Sequence, residues 1–189
     1  MRFRLNDPLV TSFIYKNQEF NIDLAFDNVL DVFDVLSDKT LRNYEKAEIC
    51  LALTINEEVN GTEAIKLWNY IYENFIKFER KQPIEFDQLG NPVPIPEEEY
   101  MDLEQDAEYI YSSFKQAYNL NLFEQQGKLH WHEFKALLHG LPSDTIMQKI
   151  VQIRAWKPRK GESAKDKEMM KKLQKIYALR QLEDEEVDN

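Results

Sequence analysis

Residues 106–158 read DAEYIYSSFKQAYNLNLFEQQGKLHWHEFKALLHGLPSDTIMQKIVQIRAWKP, and this stretch decides the fold class of the chain. Aromatic and aliphatic side chains recur in it every three or four positions, whereas Gly and Pro stand only where one apolar stripe ends and the next begins. Such spacing is typical of amphipathic α-helices. The stretch therefore predicts a packed helical unit over 106–158.

Three helices are predicted within this unit. The first covers 107–119 and the second covers 129–139, because each of these segments has one continuous apolar stripe. The third begins after Ser143 or Asp144, either of which is a suitable N-cap, and it ends at Trp156.

Residues 1–81 are predicted to form a separate N-terminal unit. Hydrophobic and polar residues alternate on both sides of a polar turn at 16–18, which is the pattern of a β-hairpin. The spacing then becomes helical, with Asp27 as the candidate N-cap of the first helix and Gly61 at the start of a later one. We therefore expect a mainly α protein, a helical bundle with a small N-terminal β-hairpin.

Residues 82–105 have a different composition. Four prolines fall in this stretch, and the residues from 85 to 108 include nine acidic side chains with no Lys or Arg. Proline is poorly tolerated inside a helix, so the pattern predicts a Pro-rich acidic linker or loop. A solvated connection is the simpler interpretation, and a segment that binds a basic partner is the alternative.

Residues 159–189 are predicted to form a charged helical tail. The segment 157–180 contains nine basic residues against three acidic ones, and apolar residues recur in it at helical spacing. The last eight residues, LEDEEVDN, are acidic. The basic segment is either a solvated helix face or a docking surface for the acidic linker or for a partner.

Composition excludes several classes of function. The 189 residues carry a formal net charge of −10, which argues against a nucleic-acid partner because phosphate binding needs a cationic face. No apolar run approaches the length of a membrane span, and the first residues do not resemble a signal peptide, so no membrane partner is expected. With a single cysteine, Cys50, the chain has no disulfide framework, and a reducing cytoplasm is expected.

The three histidines do not have the spacing of a metal-binding motif. His132 and Glu133 resemble the start of a zinc-binding helix, but the second histidine of that motif falls at position 136, which is Ala136. We also find no serine nucleophile elbow and no Gly-rich phosphate loop. The sequence predicts no catalytic residue, no metal and no cofactor.

The candidate partner-binding residues are therefore aromatic and basic side chains of the central stretch. Trp and Arg contribute most to the affinity of protein interfaces. Trp156 stands beside Arg154 and Lys157 at the end of the stretch, and Trp131 completes the candidate set.

Three blocks of the same stretch carry a family resemblance: D..YIY.SF..AY.L.L, GKLHW.EF.ALL.GLP and I..IR.W.P. They occur in order with short gaps, and the stretch resembles the bacteriophage gene product fifteen family. The resemblance implies a tail protein from long-tailed phages and prophages of Gram-positive bacteria.

The family's expected role is a non-enzymatic tail assembly chaperone. Such a protein binds the tape-measure protein and assists assembly of the tail tube, so the tape-measure and tail-tube proteins are the implied partners, and a homo-oligomer is a further expectation. The host bacterial cytoplasm is the expected location. The alternative that the resemblance leaves open is a structural tail or connector component of the virion.

Overall fold

The computed structural model describes residues 5–55, 57–59, 61–77, 85–86, 92–93, 100–159 and 161–180. Seven α-helices lie in these ranges together with an N-terminal β-hairpin, so the predicted mainly α fold is confirmed. The helices are α1 (Phe26–Ser37), α2 (Asn43–Ile55), α3 (Gly61–Ile71), α4 (Ala107–Tyr118), α5 (Trp131–His139), α6 (Ile146–Ala155) and α7 (Ala164–Ile176). The chain divides into unit 1, residues 1–81 and 122–140, and unit 2, residues 82–121 and 141–189.

The hairpin of unit 1 consists of β1 (Ser12–Tyr15) and β2 (Gln18–Asn21), which pair antiparallel. Lys16 and Asn17 form its two-residue turn with φ angles of 48° and 66°. Two consecutive left-handed residues match the twist of a hairpin, which is why short polar residues are favoured there. The rings of Phe13 and Phe20 stack at 5.5 Å on the buried face of the hairpin.

The segment 122–140 joins unit 1 through the backbone and through one aromatic cluster. The N–H of Trp131 donates to the carbonyl of Leu24 at 2.7 Å, and the N–H of Phe26 donates to the carbonyl of Leu129 at 2.9 Å. The fully buried indole of Trp131 donates to the carbonyl of Ile76 at 2.7 Å. These bonds place the start of α5 against the residues that precede α1.

Aromatic stacking continues this contact into the core of unit 1. The ring of Phe134 lies 5.0 Å from that of Phe26 and 5.6 Å from that of Trp131, nearly parallel to both. Phe33 meets Trp131 edge to face at 5.6 Å. Such pairs add to the free energy of apolar burial, so α5 is an integral part of this core.

The structure groups the central stretch differently from the predicted single unit over 106–158. Helices α4 and α6 belong to unit 2, whereas α5 belongs to unit 1. Helical periodicity shows which face of a helix is buried but carries no information on what that face packs against.

Unit 2 contains the contact between α4 and α6. The buried hydroxyl of Ser113 on α4 accepts the N–H of Met147 at 3.0 Å, in the first turn of α6. Ile110, Phe114, Met147 and Ile150 are buried in this unit. Asn119 adopts a left-handed conformation and ends α4, close to the predicted end of this helix.

Two predicted helix caps are wrong. Helix α1 begins after Ala25, and the carboxylate of Asp27 accepts the N–H of Gly127 at 2.9 Å instead of capping the helix. Helix α6 begins after Thr145, whose side chain makes no cap, and the Ser113 hydroxyl from α4 satisfies one of the first free N–H groups. In both cases the hydrogen-bond partner is distant in sequence: Gly127 for the carboxylate of Asp27, and Ser113 for the N–H of Met147.

The predicted linker over 82–105 lies mostly outside the described residues. Two short strands, β3 (Glu85–Phe86) and β4 (Pro92–Val93), pair antiparallel within it. From residue 100 the chain is described continuously into α4.

We expect the Trp131→Phe substitution to lower the free energy of unfolding by about 2–3 kcal/mol, because it leaves the buried carbonyl of Ile76 without a donor and creates a cavity. Urea denaturation followed by far-ultraviolet circular dichroism measures the loss. The same exchange at the partly exposed Trp156 is the matched control, for which we expect less than about 1 kcal/mol. Equal losses at the two positions would contradict the anchoring role of Trp131.

Candidate partner-binding surface

His130 serves as the N-cap of α5. Its Nδ1 accepts the N–H of His132 at 3.1 Å, and its Nε2 lies 3.1 Å from the carbonyl of Val10. The carboxylate of Glu133 accepts the N–H of His130 at 3.2 Å and completes a capping box. Both ring nitrogens therefore have structural partners.

His132 and Cys50 are held in their neutral forms. Burial, with smaller contributions from the charges of Lys135 and His130, lowers the pKa of His132 to about 4. Burial raises the pKa of the Cys50 thiol to about 12, so this cysteine is not an activated nucleophile. Within the described ranges, no group of three or more His, Cys, Asp or Glu side chains is placed to hold a metal ion.

Trp131 does not lie on the surface. Its side chain is 0% exposed, and its indole N–H is already bonded to Ile76. A residue that is fully buried in unit 1 offers no area to a partner, so the structure removes Trp131 from the candidate set.

Arg154 makes four hydrogen bonds to three other segments of unit 2. Its guanidinium donates to both carboxylate oxygens of Asp106, at 2.6 and 2.7 Å, and to the carbonyl of Tyr100 at 2.9 Å. Its Nε donates to the carbonyl of Tyr177. Four donated bonds from a guanidinium with five N–H groups, on a side chain only 9% exposed, leave little for a partner.

Two glutamine side chains also fix α7 and the residues that follow it. Gln174 donates to the carbonyls of Arg154 and Trp156, at 3.2 and 2.8 Å, at the end of α6. The amide of Gln105 makes two bonds with the backbone of Arg180. These polar contacts hold the end of α7, and none of the residues of the helix is buried.

Trp156 and Lys157 are placed differently from Arg154. They line an open groove of about 850 Å³ between the end of α6 and the start of α7. Ile153 and Met170 contribute further apolar surface, Lys149 and Arg159 contribute basic side chains, and Glu162 contributes one carboxylate. Trp156 is partly exposed and Lys157 is exposed. We call this feature the basic groove.

Helix α7 also carries exposed apolar residues that do not line the basic groove. Met169 is 60% exposed and Ile176 is 70% exposed. They are seven residues apart and therefore share one face of the helix. An apolar stripe that the chain leaves in solvent is a candidate contact surface.

Sequence reasoning missed the contacts of Asp106 and Gln174. Asp106 is one of nine acidic residues in its stretch, and no local pattern distinguishes the one that is buried.

Over residues 5–179 the chain matches the model of the family described as Bacteriophage Gp15 protein. It belongs to that family. Searches of curated proteins and of solved structures give no match.

Membership in the Gp15 family identifies the chain as a bacteriophage protein. The match includes residues of both units, from before the hairpin to beyond α7. In the described part of this Gp15-family chain, no helix has both the length and the apolar character needed to cross a bilayer.

We expect Asp106→Ala to lower the free energy of unfolding by about 3–5 kcal/mol, because it leaves the guanidinium of Arg154 buried without its counter-charge. Urea denaturation is the measurement. Glu104→Ala, an exposed carboxylate in the preceding turn, is the matched control and should change stability by less than about 0.5 kcal/mol. A double variant with Arg154→Met should lose less than the sum of the two single losses. Additive losses would show that the pair does not act as a unit.

We expect His132 to make the protein less stable as the pH falls. The unfolded chain binds a proton at this residue near pH 6.5, whereas the folded chain binds it only near pH 4. The free energy of unfolding that depends on neutral His132 is therefore complete above pH 6.5. It falls progressively toward pH 4, by roughly 1–2 kcal/mol after allowance for partial exposure.

The His132→Gln substitution should remove this part of the pH dependence. Unfolding free energies of the two proteins, measured by urea denaturation between pH 7.5 and roughly 4, give the difference directly, because the carboxylates titrate equally in both. His139→Gln, at the exposed end of the same helix, is the control. Parallel curves for the wild type and His132→Gln would refute the assignment.

Proposed function

We propose that the protein is a non-enzymatic tail assembly chaperone that binds the phage tape-measure protein and assists assembly of the tail tube. The observation that carries this proposal is the match to the Bacteriophage Gp15 protein family over residues 5–179. The tail-tube protein is the second partner in this proposal, and the host bacterial cytoplasm is its location.

The basic groove is the contact surface that we propose for the client. Trp156, Ile153 and Met170 provide apolar surface there, and an amphipathic helix can lay its apolar face into such a groove. Methionine side chains adapt to differently shaped partners, which suits a chaperone that meets many segments of one long client. Met169 and Ile176 offer further exposed apolar surface on α7, about 100° around the helix from Met170.

The same family match also supports a structural tail or connector component of the virion. The two roles differ in whether the protein remains in the finished particle. Mass spectrometry of purified virions separates them, because a chaperone is absent from the particle whereas a connector is present in fixed copy number. Size-exclusion chromatography with light scattering tests the further expectation of a homo-oligomer.

Co-expression with the cognate tape-measure protein tests the proposed role. We expect the tape-measure protein to be soluble and to co-purify with this chain, and to precipitate when it is expressed alone. Trp156→Ala should reduce the recovered tape-measure protein about tenfold, since a Trp at the centre of an interface contributes a large share of the affinity.

Phe123→Ala is the matched control for this experiment. Phe123 is an exposed aromatic residue of unit 1, 70% exposed, and it does not line the groove. Its removal should leave co-purification unchanged. A tape-measure protein that is soluble without this chain, or a Trp156→Ala variant that binds normally, would contradict the proposal.

A further inference from the structure

One side of helix α7 attaches it to the rest of unit 2. Met170 lines the basic groove, and the amide of Gln174 donates to two carbonyls at the end of α6. The ring of Tyr177, the residue after the helix, meets that of Tyr109 at 6.1 Å. These three residues of the α7 segment are four and then three positions apart, so they lie on the same side.

A second row of residues on α7 is turned to solvent. Its members alternate between basic and apolar side chains: Lys165, Met169, Lys172 and Ile176. They are spaced by four, three and four positions, which is the spacing of the contact residues in a pair of packed helices. Met169 and Ile176 are 60% and 70% exposed, and the side chain of Lys172 is 71% exposed. We call these four residues the outer row of α7.

The outer row carries an excess of positive charge. Lys172 pairs with Glu168 at 2.8 Å, but within the described ranges Lys165 and the neighbouring Lys175 have no ionic partner. The 13 residues of α7 include five lysines and two acidic side chains, whereas the whole chain has a net charge of −10. This local reversal of sign attracts an acidic ligand.

Two other occupants fit the outer row less well. A second copy of α7 would bring the ammonium groups of two basic helices side by side, and like charges at that distance repel each other. A membrane surface binds a helix that has a broad face of large apolar side chains. The outer row offers two apolar residues with a lysine between them, and the net charge of the chain opposes an anionic surface.

We propose that the outer row of α7 binds an acidic amphipathic helix of a partner protein. The apolar side chains of that helix pack against Met169 and Ile176, and carboxylates spaced between them pair with Lys165 and Lys172. The alkyl stems of the two lysines cover the edges of the apolar contact, while their ammonium groups reach the carboxylates. The inference does not rest on the proposed chaperone role, because these residues do not line the basic groove.

Two labelled synthetic peptides test this surface. Each is a helix of about three heptads, with Leu at the positions that face the apolar residues of the outer row. At the positions that face its lysines, one peptide has Glu and the other has Lys. Fluorescence anisotropy with the full-length chain should show that the Glu peptide binds at least about tenfold more tightly than the Lys peptide, because the two differ only in charge.

Reversal of the charge on the outer row should reverse this preference. The variant with Lys165→Glu and Lys172→Glu should bind the Lys peptide more tightly than the Glu peptide, by about tenfold. The matched control is Lys115→Glu with Lys128→Glu, which changes two exposed lysines outside α7 and alters the net charge equally. This control should keep the preference of the unchanged protein for the Glu peptide.

The apolar contact is tested separately from the charge. Met169→Ala with Ile176→Ala should weaken binding of the Glu peptide about tenfold, since it removes apolar contact area and leaves every lysine in place. Leu5→Ala with Phe123→Ala, which removes two exposed apolar residues of unit 1, is the matched control and should bind as the unchanged protein does. Because all four side chains are exposed, circular dichroism should show the same helix content in both variants.

Four results would overturn the proposal. Equal binding of the two peptides would show that the charge of the outer row selects nothing. Loss of the Glu peptide in Trp156→Ala would place that peptide in the basic groove. Co-sedimentation with phosphatidylglycerol vesicles that is lost in Met169→Ala with Ile176→Ala would assign the row to a membrane surface. A dimer by light scattering that the same double substitution dissociates would assign it to a second copy.

Discussion

The hydrogen bond from the buried indole of Trp131 to the carbonyl of Ile76 is the constraint on which unit 1 depends. A buried indole needs an acceptor, and a buried carbonyl needs a donor, so each group fixes the position of the other. The backbone bond from Trp131 to Leu24 then aligns the start of α5 with the residues before α1. Because this segment follows 40 residues of unit 2, its sequence neighbours do not determine its packing partners.

Unit 2 is organised by a different interaction, the buried ion pair of Arg154 and Asp106. Removing two charges from water is costly, and the cost is offset only where every donor and acceptor is satisfied. Here the carboxylate of Asp106 also accepts the N–H of Asp102 at 3.0 Å, and the remaining guanidinium donors reach two carbonyls. The ion pair therefore links α4, α6 and the residues after α7 through groups that would otherwise be unpaired.

Local patterns predicted the elements of this fold better than their partners. The turn at Lys16 and Asn17, the left-handed Asn119 and the helical stripes all follow from interactions within a few residues, and the structure contains them. Caps and buried charges depend on residues distant in sequence, which is why Asp27 and the start of α6 were misassigned. The partner-binding candidates divide in the same way. Trp131 and Arg154 were chosen as candidates for their residue types, but the side chains of both point into the protein interior. Trp156 and Lys157 line the groove.

The internal role of Arg154 explains why its neighbours are presented to solvent. Its bond to the carbonyl of Tyr177 holds the end of α7 against α6, and Gln174 binds the carbonyl of Trp156, so polar contacts join the two helices that border the groove. Because α7 buries no side chain completely, its apolar and basic residues remain available to a ligand. A surface built in this way separates stability from recognition. The ion pair stabilises the fold, and the residues around Trp156 can change to suit a partner without loss of the fold.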